Sequence, residues 1–139
     1  MLLGLQGGGA YLNDCPIQVS SVSDIRQAQI LLGFPYDSER FRPIVLSAIE
    51  QMYGMVGAER LLGSAAAELC YVAAGRAEGR LEGQLGPWDV AAGTLILSEA
   101  GGVTTDFSGG DSYLDGHEVL ASNAHVHEQL LQIVNNACK

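Results

Sequence analysis

Asp89 is the residue in this chain best placed to do chemistry. It stands in Gly86-Pro87-Trp88-Asp89-Val90-Ala91-Ala92-Gly93, where an extended segment turns into an apolar helix. Pro87 disfavours helical geometry at Gly86, and an Asp at such a junction can satisfy the orphan amides that open a helix. As a cap it contributes about 0.5–2 kcal/mol and needs no ligand. A carboxylate fixed on a rigid element is equally a hard oxygen ligand for Mg2+, which takes one or two carboxylates together with waters and substrate phosphate. The residue types alone leave both roles open.

Three further residues have a structural reading by type. Ser64 precedes the run Ala65-Ala66 and is a helix N-cap by type. Glu82 lies seven residues before Asp89 on a strand, facing opposite Leu81 and Gly83, and by itself reads as a solvated strand residue. Glu99 closes the apolar helix, where the helix dipole disfavours a carboxylate, so a structural partner is expected for it. Gly7-Gly8-Gly9 lacks the Lys-Ser/Thr ending of a phosphate-binding loop and reads as a turn. His117, His125 and His127 read as surface residues, with His125 and His127 on different helix faces.

Trp88-Asp89-Val90-Ala91-Ala92-Gly93, Glu99-Ala100-Gly101-Gly102 and Asp106-Phe107-Ser108-Gly109-Gly110 together resemble the C-terminal signature of the inositol monophosphatase family. Gly7 to Asn13 with Ile17 to Ser20 resembles the family's mid-chain hairpin, Gly63-Ser64-Ala65-Ala66 its substrate-side helix start, and Val119 to Asn123 its closing strand. The resemblance covers essentially the whole chain but only the second half of the family fold. It implies a Mg2+-dependent phosphomonoesterase, with Asp89 as a metal ligand, Glu82 accepting from a substrate hydroxyl, and Ser64 and Ala65 lining the pocket. The substrate it implies is inositol monophosphate or a related phosphorylated polyol or sugar.

The family's metal-binding Glu, its Asp-Pro-(Ile/Leu)-Asp-Gly-Thr segment and its water-activating Glu and Thr have no counterpart here; no Asp-Pro dipeptide occurs. Placing a nucleophilic water needs a second fixed group within about 2.6–3.2 Å of it. The isolated chain is therefore expected to be inactive, with Mg2+ binding only alongside the missing N-terminal half. Alternatives are the subunit of a split phosphatase and a non-catalytic, phosphatase-derived binding or assembly domain. A complementary N-terminal half or a second copy is the expected protein partner, and apolar residues of Met1 to Leu12 are where a missing half would leave surface bare.

The elements that must position these residues follow from hydrophobic periodicity. Strands are predicted over Leu2–Gln6, Ala10–Leu12, Ile17–Val19, Ala28–Phe34, Glu59–Leu62, Gly79–Gln84, Val103–Asp106 and Glu118–Ser122. Helices are predicted over Arg42–Tyr53, Ala65 to near Gly75, Asp89–Ala100, buried on nearly all sides, and Ala124–Asn136. This alternation predicts an α/β layered sandwich, a largely parallel sheet with helices on both faces, as one domain over residues 1–139.

Composition narrows the function classes. With 47% hydrophobic and 17% charged residues the 139-residue chain is no disordered tail, and at this length about 68–70% of the unfolded surface is buried on folding. Sixteen acidic against seven basic side chains, net charge -9, disfavour nucleic acid as a partner. No apolar run approaches the ~20 residues of a membrane-spanning helix, and Met1 to Leu5 is too short for a signal-peptide core. Cys15, Cys70 and Cys138 form no metal-like or disulfide pattern, so a cytoplasmic protein with reduced thiols is expected.

Overall fold

The computed structural model describes residues 1–36, 39–115 and 117–139. It begins with an antiparallel meander of β1 (Leu2–Leu5), β2 (Gly9–Leu12) and β3 (Cys15–Ile17). Asn13 and Asp14 make the second turn at φ of 49° and 67°, the left-handed geometry that two-residue hairpins require and that Asn and Asp tolerate. The predicted strand Ile17–Val19 is displaced toward Cys15, because the Val19 amide leaves the meander to bond the Ala100 carbonyl at 3.0 Å.

A second sheet contains β4 (Gln29–Leu32), β5 (Ala58–Arg60), β6 (Gly79–Gly83), β7 (Val103–Thr105) and β8 (Glu118–Ser122) in the spatial order β5-β4-β6-β8-β7. β4 runs parallel to β5 and β6, and β8 runs antiparallel to both β6 and β7. Four of the five strands thus point one way, with β8 inserted against them. Between the strands lie α1 (Phe41–Met52), α2 (Ala65–Ala73) and α3 (Pro87–Glu99), and α4 (His127–Ala137) follows β8.

Strand alternation divides the interior into two cores. Ile30 and Leu32 of β4, Leu81 of β6 and Leu120 of β8 pack with Phe41, Ala48 and Met52 of α1 and Leu130, Ile133 and Val134 of α4. Leu31, Val119 and Ala121 face the other way, onto Leu69, Val72 and Ala73 of α2 and Val90, Ile96 and Leu97 of α3. Across α3 from this sheet lies the meander, whose Ala10, Leu2 and Ile17 complete the second core. The layers are therefore meander, α2 and α3, five-stranded sheet, α1 and α4. On β6 the same alternation sends Arg80 and Glu82, opposite Ala121 and Val119, to the α2/α3 side.

Several boundaries move for physical reasons. α3 starts at Pro87 rather than Asp89, because proline is accommodated at the first helical position. α4 starts at His127 rather than Ala124: the Asn123 carboxamide oxygen accepts the His125 and Val126 amides, holding the chain in a turn. β4 ends at Leu32, short of Phe34, as Gly33 to Pro35 leave the sheet. The expectation that α3 is buried on nearly all sides is corrected: Trp88, Ala92 and Leu95, one face at helical spacing, are exposed. His127 is also not a surface residue. Its ring is buried, with Nδ1 2.9 Å from Ser122 Oγ and Nε2 3.1 Å from Thr105 Oγ1, and burial holds it below the usual imidazole range despite the opposing Glu128 charge.

β7 is closed by a turn built on Asp106. Its carboxylate accepts from the Ser108 amide and hydroxyl at 2.9 and 2.7 Å, from the Gly110 amide at 2.8 Å and from the Ser112 amide at 3.2 Å. Burial opposes ionisation, but these bonds outweigh it and hold the carboxyl below its usual range. A folded-state value lowered in this way contributes stability that is complete above roughly pH 4 and is lost as pH falls through the folded value. Urea midpoints measured from about pH 5 to pH 3 should therefore fall more steeply for the wild type than for Asp106→Asn. Parallel curves would remove Asp106 from the account of acid sensitivity.

Candidate functional site

Asp89 is the third residue of α3, where its carboxylate can reach back over the helix start. Oδ2 accepts the Gly86 amide at 2.9 Å, while the Asp89 amide donates to the Gly86 carbonyl at 3.0 Å. The capping role is thus present, in reciprocal form. One oxygen is occupied by it, and Oδ1 makes no hydrogen bond among the described residues. A half-buried carboxylate at a helix N-terminus is also favoured by the dipole.

Glu82 is not a solvated strand residue. Its side chain is 16% exposed and ion-paired with Arg80 of the same strand, through Arg80 Nη2 and Glu82 Oε2. The Arg80 side chain is fully buried and donates from Nε to Glu68 Oε2 at 2.9 Å. Glu68, on the first turn of α2, in turn accepts the Leu62 and Gly63 amides on Oε1, at 3.1 and 3.2 Å. Burial pushes the Glu82 carboxyl above its usual range. Arg80 opposes this, and the Glu68 and Asp89 charges add to it.

Ser64 caps α2 as expected, with extended backbone and its Oγ accepting the Ala67 amide at 3.4 Å. Asp89, Glu82, Ser64 and Ala65, drawn from three separate segments, line one open cleft of about 850 Å3. Its rim is apolar. Phe34, Tyr36 and Leu61 line it beside Trp88, which is 84% exposed.

Sequence reasoning missed Gly33, Glu68 and the task of Arg80. Gly33 also lines the cleft, and a Cβ there would lie 1.9 Å from Glu82 Cδ, so any larger residue must displace the Glu82 carboxylate. For Arg80 a signal existed: Arg80 and Glu82 share one face of a strand covered on both sides, where charges must find partners. The partner on α2 lies outside any local pattern.

The donors present do not form a complete Mg2+ site. Among the described residues no group of three or more His, Cys, Asp and Glu side chains is placed to hold a metal ion. Asp89 offers one carboxylate, and the Glu82 oxygen nearest Arg80 is committed to it. Mg2+ surrenders water reluctantly and demands near-octahedral oxygen ligation, so one carboxylate without substrate phosphate makes a poor site.

The architecture is that of a layered α/β domain presenting a helix-borne carboxylate and an ion-paired glutamate in one cleft. A family model for the inositol monophosphatase family matches residues 1–139, and the chain belongs to that family, which is generally Mg2+-dependent. It is 40% identical over 134 residues to the Nus factor SuhB of Pasteurella multocida, spanning 96% of this chain and 50% of that protein. Among solved structures, the extragenic suppressor protein suhB of Bartonella henselae superposes with a TM-score of 0.90 at 33% identity, over 96% of this chain and 51% of that one. Inositol monophosphatase from Anabaena gives 0.89 at 34% identity, over 97% and 54%. The chain spans about half the length of the relatives it matches.

The cleft geometry makes Gly33 a test of how Glu82 is held. Gly33→Ala should displace the Glu82 carboxylate and cost about 1–3 kcal/mol by overpacking, read as a lower urea midpoint. An unchanged midpoint would mean that Glu82 has room to move.

Proposed function

We propose that this chain supplies the polyol-binding side and one metal-ligating carboxylate of a Mg2+-dependent phosphomonoesterase acting on inositol monophosphate or a related phosphorylated polyol or sugar. The observation that carries this is the convergence of Asp89, Glu82, Ser64 and Ala65 on one cleft. Glu82, an acceptor fixed by Arg80 and by contact with Gly33, suits the hydroxyl of a polyol. The start of α2 offers amides and the Ser64 hydroxyl on the other side. Asp89 offers its remaining oxygen to a cation shared with the substrate phosphate. The family's water-activating Glu and Thr have no counterpart among these residues, so turnover belongs to an assembly with the groups of a complementary half.

Exposed apolar surface supports that assembly. Trp88, Ala92 and Leu95 on α3, Phe34 and Tyr36 at the rim, and Met1, Leu3 and Leu5 at the meander leave uncovered what a monomer usually buries. The same surface favours a second reading, an assembly domain without catalysis that docks on a protein, as the name Nus factor among the relatives suggests.

Phosphate release from inositol 1-phosphate separates the two. The chain alone should give no Mg2+-dependent turnover above background. Addition of a separately expressed first half from a homologue should restore it, and Asp89→Asn should abolish the restored activity. Robust turnover by the chain alone would overturn the requirement for a second half. A stable complex of the two halves without turnover would favour the assembly reading.

A further inference from the structure

Arg80 touches neither solvent nor the cleft, yet its bonds connect the two sides of it. Leu62 and Gly63, just before the Ser64 cap, donate to Glu68; Glu68 is held by Arg80 Nε, and Arg80 Nη2 holds Glu82. The third nitrogen, Nη1, makes no hydrogen bond among the described residues.

Stability alone is a poor explanation for this triad. Replacing buried ion pairs by apolar groups of similar volume is often neutral or stabilising, and here one donor is left unpaired. A guanidinium also cannot escape burial by losing its proton. What it does provide is geometry: a planar fork whose donors fix two carboxylates in relation to each other. One of those carboxylates belongs to the cleft, and the other grips the loop that opens α2.

We propose that Arg80 is a positioning residue, which couples Glu82 to the 62–65 loop through Glu68 so that the two polyol-facing sides of the cleft are held in one register. The substrate part of this statement rests on the proposed function; the coupling does not. Lysine would not substitute, because a single ammonium on a flexible stem cannot serve both carboxylates in fixed directions. The arrangement cuts the ordering cost of ligand binding by fixing both sides in advance.

The test is a double-mutant cycle read by amide NMR on the ligand-free, 15N-labelled full chain. Glu82→Gln removes a charge from the cleft without touching Glu68 or the loop. It should move the Leu62 and Gly63 amide resonances and speed their hydrogen exchange roughly tenfold, as the Arg80 grip on Glu68 slackens. In an Arg80→Met background the exchange should already be fast and Glu82→Gln should add nothing, and Arg80→Lys should not rescue it. Unperturbed α4 amides serve as the control for folding. Leu62 and Gly63 amides that ignore Glu82→Gln, or respond equally with Arg80→Met, overturn the coupling. Should Arg80→Met fail to fold, the Glu82→Gln arm decides alone: silent Leu62 and Gly63 amides overturn the coupling, and responsive ones support it. Cleft amides that do not move on adding inositol 1-phosphate with Mg2+ to the wild type assembled with a homologue's first half overturn the substrate part and leave the coupling result intact.

Discussion

Helix α3 is fastened between two sheets, and the place of Asp89 and Trp88 in the cleft depends on it. At its C-terminal end Glu99 accepts the Gly7 and Gly9 amides at 2.8 and 2.9 Å, bonds that hold its carboxyl below the usual range and offset the unfavourable helix dipole. Along its length β1 approaches so closely that a Cβ on Gly4 would lie 2.9 Å from Ile96 Cγ1. On the other flank Gly93 admits α2, since a Cβ there would lie 2.7 Å from Leu69 Cβ. With its end, length and flank fixed, the helix delivers Asp89 to one point. The glycine-rich turn at Gly7 to Gly9, which could suggest a phosphate loop, instead serves as a socket for Glu99.

What was legible in the sequence is what local chemistry determines. Ser64 and Asp89 announce helix starts by type, and the elements around them fall within a few residues of expectation. The fold class was equally legible, because alternating strands and helices leave few layered solutions. What was not legible depends on distant partners. β8 slots between β6 and β7 although it follows them in sequence, and Arg80 meets Glu68 across the gap between a strand and a helix. Gly33 looked like part of an apolar strand, and only the fold brings the Glu82 carboxylate against it. The apolar run of α3 predicted burial all round, but hydrophobicity cannot say whether the covering surface belongs to the same chain.

The exposed face of α3 begins at Trp88, beside Asp89, and continues from the rim of the cleft. A partner covering this face would also close the cleft, excluding water and strengthening the electrostatics inside it. On the proposed reading, further carboxylates there would add to the one oxygen that Asp89 leaves free. The net charge of -9 disfavours the approach of an anionic ester unless a cation screens it.

Paramagnetic broadening by Mn2+, which shares the hard-oxygen preference of Mg2+, tests most directly whether this cleft takes a cation together with a phosphate ester. In the 15N-labelled chain assembled with a separately expressed first half from a homologue, low Mn2+ with inositol 1-phosphate should broaden amides around Asp89 and the start of α2, and omission of the ester or Asp89→Asn should weaken that pattern. Broadening centred elsewhere, or identical with and without the ester and in Asp89→Asn, would contradict the account.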